Sequence, residues 1–117
     1  MKFHFDCVFY YVSDLERSIR FYRNVLGFKL VSRDVVARFD IDGVLFEVVP
    51  APDQSVLRQA GNARLCLRVD SVEEALTELR AKGVHTGKAE SRGTGKLGSF
   101  EDPDGNEICL WEYTAAQ

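Results

Sequence analysis

Apolar and polar positions follow one order twice along this chain: a strand-like run, a helical stripe, then three further strand-like runs. The first round predicts a strand over Phe3–Val12 and a helix carrying Leu15, Ile19, Tyr22 and Leu26 at helical spacing. Ser13-Asp14-Leu15-Glu16 has the S-x-x-E form of a capping box, with Ser13 as the cap and Glu16 reaching back, and Gly27 supplies the stop. Strands follow at Phe28–Arg33, Val36–Ile41 and Val44–Val49, the last two joined by an Asp42-Gly43 hairpin turn. The second round predicts a strand at Ala63–Val69 and a helix capped by Ser71. Its stripe is Val72, Ala75, Leu76 and Leu79, and Gly83 ends it. Strands at Val84–Ala89, Lys96–Glu101 and Glu107–Tyr113 complete the round, with Asp102–Asn106 as a turn. Glu90–Gly98, rich in Gly, Ser, Thr and Lys, reads as a mobile loop.

The two rounds are βαβββ units offset by about 56 residues, a repeat of pattern rather than of identity. The fold class is therefore α+β: two βαβββ modules, expected to close as one domain over 1–117. Module one covers about 1–50, a linker marked by Pro50 and Pro52 about 51–62, and module two about 63–117. Neither module can bury its sheet face and helix stripe well alone, whereas two together can.

Composition changes this picture by exclusion. The chain has 117 residues, 45% apolar and 28% charged, with a net charge of -3 and both signs interspersed. That excludes a disordered chain and leaves no basic footprint for nucleic acid. No apolar run approaches the ~20 residues of a membrane span, and residues 1–12 lack the pattern of a signal peptide. Cys7, Cys66 and Cys109 are an odd number without a C-x-x-C pair, so they read as reduced cysteines of a cytoplasmic protein.

Two stretches carry a family likeness. Val12-Ser13-Asp14-Leu15-Glu16-Arg17-Ser18, running into Phe21-Tyr22-Arg23-Asn24-Val25-Leu26-Gly27-Phe28, and Phe100-Glu101-Asp102-Pro103-Asp104-Gly105-Asn106-Glu107 before Ile108-Cys109-Leu110, resemble signatures of the glyoxalase/bleomycin-resistance/extradiol-dioxygenase (vicinal oxygen chelate) superfamily. The resemblance implies paired modules whose curled mixed sheets surround a central cavity, and a homodimer. It also implies four positions where metal-using members hold a divalent ion with His, Glu or Gln. In this chain they carry Cys7, Glu47, Arg64 and Cys109, and only Glu47 keeps the residue type.

That departure sets the expected chemistry. An Arg guanidinium stays protonated, cannot ligate, and repels a divalent ion. Arg64 is instead expected to pair with Glu47 in the place of the ion, and no cofactor is expected. A competing arrangement holds Zn, Mn, Ni or Fe, with Cys7, Cys109 and Glu47 as donors of the kind zinc takes. There Arg64 would lower the thiol pKa values and help thiolates form.

Strand alternation extends the face. With Cys7 go Phe5, Phe9 and Tyr11; with Glu47, Leu45 and Val49; with Arg64, Cys66 and Arg68; with Cys109, Trp111 and Tyr113. Leu65, Leu67, Val69, Ile108 and Leu110 are left for the core. Phe9, Tyr11 and Trp111 with Arg64 and Arg68 suit a small aromatic or carbonyl-bearing ligand, although the same rings can pack a closed barrel or a dimer seam. The functional expectation is a binding protein of sequestering or resistance type, or a sensor, working without the usual metal. The alternative is a lyase, isomerase or dioxygenase of the superfamily, metal-dependent or using Glu47 as base, with Cys7 or Cys109 as nucleophile. A third option is a dimerisation module without ligand. His4 and His85 read as surface residues, and Asp102 and Asp104 as turn residues.

Overall fold

The computed structural model describes residues 1–2, 4–57 and 64–114. The chain divides into two compact units, Met1–Gln59 and Ala60–Gln117, and their boundary falls within the expected linker. Phe3, the 58–62 end of that linker, Ala63 and residues 115–117 lie outside the described residues.

In the first unit β1 (Val8–Val12) leads through α1 (Leu15–Arg20) to β2 (Lys29–Arg33), β3 (Ala37–Ile41) and β4 (Val44–Pro50). The sheet order is β1-β4-β3-β2, with β1 parallel to β4 and the other pairs antiparallel. In the second unit β5 (Leu65–Arg68), α2 (Val72–Ala81), β6 (Glu90–Arg92), β7 (Gly95–Glu101) and β8 (Glu107–Tyr113) follow the same plan, ordered β5-β8-β7-β6 with β5 parallel to β8. Both units are thus βαβββ modules of an α+β fold.

The expected helix ends hold with one correction. The α1 cap is Asp14, not Ser13: its carboxylate accepts from the Arg17 N–H at 3.0 Å. Ser13 instead receives the Arg17 guanidinium on its hydroxyl at 2.8 Å, and Glu16 pairs with Arg33 rather than reaching back. Asp and Ser cap about equally well, so adjacent candidates compete and the direction of chain entry decides. Beyond Arg20 the helix widens into a π-type turn over Phe21–Val25, closed by Leu26 N–H on the Phe21 carbonyl at 3.1 Å. The wider turn places Tyr22 in the core, fully buried against Phe28, Phe39 and Phe46. In α2 the cap is Ser71 as expected, accepting from Glu74 N–H at 3.2 Å. A second acceptor comes from β8, where Glu112 takes the Val72 N–H at 2.8 Å.

The hairpin between β3 and β4 forms at Asp42-Gly43, whose φ of 52° and 85° give the primed turn that matches strand twist. The expected strand at Val84–Ala89 is absent; Thr86 makes only an isolated bridge to Phe100. Glu90–Gly98 is correspondingly not a loop: β6 and the start of β7 pair through it around Gly93. These strand residues are polar because β6 is an edge with all three residues exposed. β1 is also shorter than expected, beginning at Val8 and leaving Phe5 75% exposed ahead of it.

Each helix covers one face of its own sheet. Val12, Phe46, Val48 and Phe39 are fully buried in the first unit, and Val72, Leu76, Phe100, Ile108 and Leu110 are buried in the second. Gly98 lets α2 approach β7: a Cβ there would lie 2.6 Å from Val72 Cγ1. The opposite sheet faces carry the candidate residues. Among the described residues, no helix is long and apolar enough to cross a membrane.

Candidate functional site

In the first unit the parallel register puts Phe9 opposite Glu47 and Tyr11 opposite Val49, on the face turned from α1. Phe9 is 46% exposed, and its ring meets Tyr11 edge-on at 5.3 Å. Cys7 lies just ahead of β1, not within it, beside Asp6. Because the pleat starts only at Val8, both neighbours can turn toward Glu47 instead of alternating. The ligand-type atoms of Asp6, Cys7 and Glu47 lie within 4.8 Å of one another. Burial, then the Glu47 carboxylate, pushes the Cys7 thiol above the ordinary thiol range.

Glu47 also has a cationic neighbour that the sequence reading passed over. Arg38, its register partner on β3, brings Nε to 3.8 Å from the carboxylate. The rest of that guanidinium is held by Asp34 at 3.2 Å and Ser32 at 3.3 Å. The Val36 N–H and then the Arg38 side chain keep the Asp34 carboxyl below its usual range. A signal for Arg38 was available, since counting outward from the Asp42-Gly43 turn sets it opposite Glu47. Asp6 had no comparable signal.

In the second unit Cys66 stands opposite Cys109 and Arg68 opposite Trp111 across β5 and β8. Alternation follows the expected register. Cys66 and Arg68 are exposed between half-buried Leu65 and Leu67, while Ile108 and Leu110 are buried around Cys109. Leu65, Leu67 and Val69 are thus less enclosed than a core assignment implies. Trp111 meets Tyr113 edge-on at 5.8 Å, and its indole lies over Gly95, where a Cβ would come within 2.4 Å of it.

Arg64, directly before β5, has a carboxylate partner in its own unit: Glu107, at 3.5 Å from Nε. Both side chains are more than a third exposed, so the pair contributes only about 0–1 kcal/mol. Glu107 also accepts the Cys109 S–H at 3.9 Å. The expected lowering of thiol pKa values by Arg64 does not prevail. At Cys109 burial, then Glu107 and Cys66, outweigh the downward pull of Arg64, and the thiol is raised. Burial alone raises Cys66.

Each unit therefore sets its candidate residues in its own surroundings. Glu47 can donate, Arg64 cannot, and the Cys7 and Cys109 thiols are each raised beside a carboxylate. The described residues add a different trio, Asp6, Cys7 and Glu47, confined to the first unit. His4 and His85 are exposed. Asp102 and Asp104 are buried in the turn, where Asp102 accepts from the Asp104 N–H and from both Asn106 nitrogens at 2.8–2.9 Å.

The sequence profile of the Glyoxalase/Bleomycin resistance protein/Dioxygenase superfamily matches residues 4–110. A lactoylglutathione lyase of Salmonella typhimurium is 31% identical over 116 residues, 86% of each chain. Among solved structures, the fosfomycin resistance protein FosX of Listeria monocytogenes superposes with a TM-score of 0.79 at 20% identity, covering 96% of this chain and 94% of that one. FosX has also been crystallised with Mn(II) and sulfate. TnmS3, an antibiotic binding protein from Streptomyces sp. CB03234, gives 0.73 at 24% identity, covering 97% and 99%.

Proposed function

The chain belongs to the glyoxalase/bleomycin resistance protein/dioxygenase superfamily, and from that premise we propose that it is a small-molecule-binding member that works without the family's usual divalent ion. Arg64 carries this reading. It stands at one of the four positions where metal-using members place a donor, it cannot donate, and it holds Glu107 beside Cys109.

The ligand class follows from the sheet faces. Phe9 and Tyr11 in one unit and Trp111 in the other offer ring surfaces, while Arg64 and Arg68 offer donors to oxygen. Such a surface suits a planar molecule bearing a carbonyl or anionic oxygen. Cys7 and Glu47 in the first unit and Cys66 and Cys109 in the second belong to the same proposed ligand-binding set. An antibiotic binding protein with the same fold supports the sequestering form of this reading. A homodimer that completes the cavity, one closed domain per chain, and a cytoplasmic location that keeps the thiols reduced belong to the same proposal.

Native mass spectrometry of untagged protein purified without chelator, with elemental analysis, tests it. The expected result is a metal-free dimer that quenches its single tryptophan when titrated with planar aromatic carbonyl compounds. One divalent ion per chain, or no response to any such compound, overturns it.

The Asp6–Cys7–Glu47 cluster favours a second reading, an enzyme of the superfamily in which Glu47 is the general base. The Arg38 contact holds this carboxylate in place beside Cys7. Glutathione-dependent lyase activity, the activity named for the Salmonella relative, is its first assay. Turnover that survives Glu47→Gln removes Glu47 from the role.

A further inference from the structure

We propose that Cys66 and Cys109 form a dithiol pair that takes a low-molecular-weight disulfide as its oxidant and closes into a cross-strand disulfide between β5 and β8. The two residues are register partners in a parallel pair, and both face away from α2. Neighbouring strands run about 4.7–4.9 Å apart, inside the roughly 4.4–6.8 Å separation of Cα atoms that a disulfide spans. Both thiols are free, and Cys66 is exposed on a sheet face that an oxidant can reach. Glu107 lies beside Cys109, but it is held by Arg64. Among the described residues, the trio able to surround an ion is Asp6, Cys7 and Glu47 in the other unit. The Arg64 charge acts on Cys109 and opposes a bound cation, whereas a disulfide is neutral and meets no such opposition.

The chemistry balances in two exchanges. Cys66, the more exposed, loses its proton and attacks one sulfur of the oxidant RSSR. The S–S bond breaks, and the first RS⁻ leaves and takes up a proton to become RSH. Cys109 then loses its proton and attacks the Cys66 sulfur of the mixed disulfide, expelling the second RSH. The chain loses two electrons and two protons, together two hydrogen atoms, and RSSR gains both. The product pins β5 to β8 next to Trp111, independently of what the face binds.

Reduced protein equilibrated in glutathione buffers of increasing oxidised fraction, then acid-quenched, alkylated and mapped with trypsin, tests the proposal. Cleavage at Lys2, Arg17, Arg64, Arg68 and Lys96 puts the three cysteines on separate peptides. The expected species is lighter by two hydrogens, with the Cys66 and Cys109 peptides joined within one chain and Cys7 still alkylatable. Cys66→Ser and Cys109→Ser should never lose the two hydrogens, and Cys109→Ser should retain glutathione on Cys66. A link through Cys7, a link between chains, or full alkylation of Cys66 and Cys109 under oxidising conditions overturns the proposal. The wild-type map decides alone if a serine variant fails to fold, and it is read without any ligand.

Discussion

Replacing Gly98 by alanine should destabilise the second unit, although the intrinsic propensities point the other way. A glycine inside a strand costs about 0.5–1 kcal/mol relative to alanine, so Gly98→Ala would stabilise if space allowed. Space does not allow it: the new methyl would lie 2.6 Å from Val72 Cγ1 and 3.2 Å from Leu76 Cδ1. Val72 is completely buried and Leu76 is 1% exposed, and a β-branched residue in a helix has one strongly preferred rotamer. The Val72 methyl therefore cannot swing away, and α2 must shift. Overpacking of this kind costs about 1–3 kcal/mol. At the centre of these ranges the clash wins, leaving a net loss of about 1 kcal/mol, or roughly 0.5 M in urea midpoint at a slope of about 2 kcal/mol/M. Val72→Ala alone should also destabilise, by about 1.5–3 kcal/mol from buried methyl loss. The double variant should lose less than the sum, because the small residue at 72 admits the new methyl. A coupling of about 0.5–3 kcal/mol is expected from contacting sites. Urea titrations of the four proteins give this cycle. A Gly98→Ala protein as stable as wild type, or single effects that simply add, would refute the packing argument.

Three further outcomes follow from the site and its supports. Arg64→His puts an imidazole at a family ligand position and removes the opposing charge, so the purified variant should retain more zinc by elemental analysis than wild type. Glu112→Ala removes the acceptor for the Val72 N–H at the start of α2 and should cost about 0.5–2 kcal/mol by urea titration, with helical circular dichroism lost in the same transition. Burial and the Glu47 carboxylate both raise the Cys7 thiol, so iodoacetamide should modify it with a midpoint above 9.0, the unperturbed value. Glu47→Gln removes a negative charge that disfavours the thiolate. The midpoint should therefore fall and alkylation at pH 8 should quicken, measured by peptide mapping; an unchanged profile would show that Glu47 does not act on Cys7.

Much of each module was legible along the chain, because its signals are local. Ser71 capping α2, the turn at Asp42-Gly43 and the alternation around Ile108 and Leu110 each depend on residues within a few positions of one another. The errors fall where local signals tie or mislead. Ser13 and Asp14 are equivalent caps, and Glu90–Arg92 looks like a loop because an edge strand has no face that must be apolar.

By itself the sequence determined two βαβββ modules, which residues share the faces turned from the helices, and that Arg64 cannot serve as a metal donor. Tertiary structure alone decided the partners on those faces: Arg38 as a cationic neighbour of Glu47, Glu107 as a carboxylate on Arg64, Asp6 gathered with Cys7 and Glu47, and Glu112 completing the α2 cap. The reason is physical. Periodicity tells which way a side chain points, whereas its partner is set by the register of strands that return from far along the chain, as β8 returns to lay Cys109 beside Cys66.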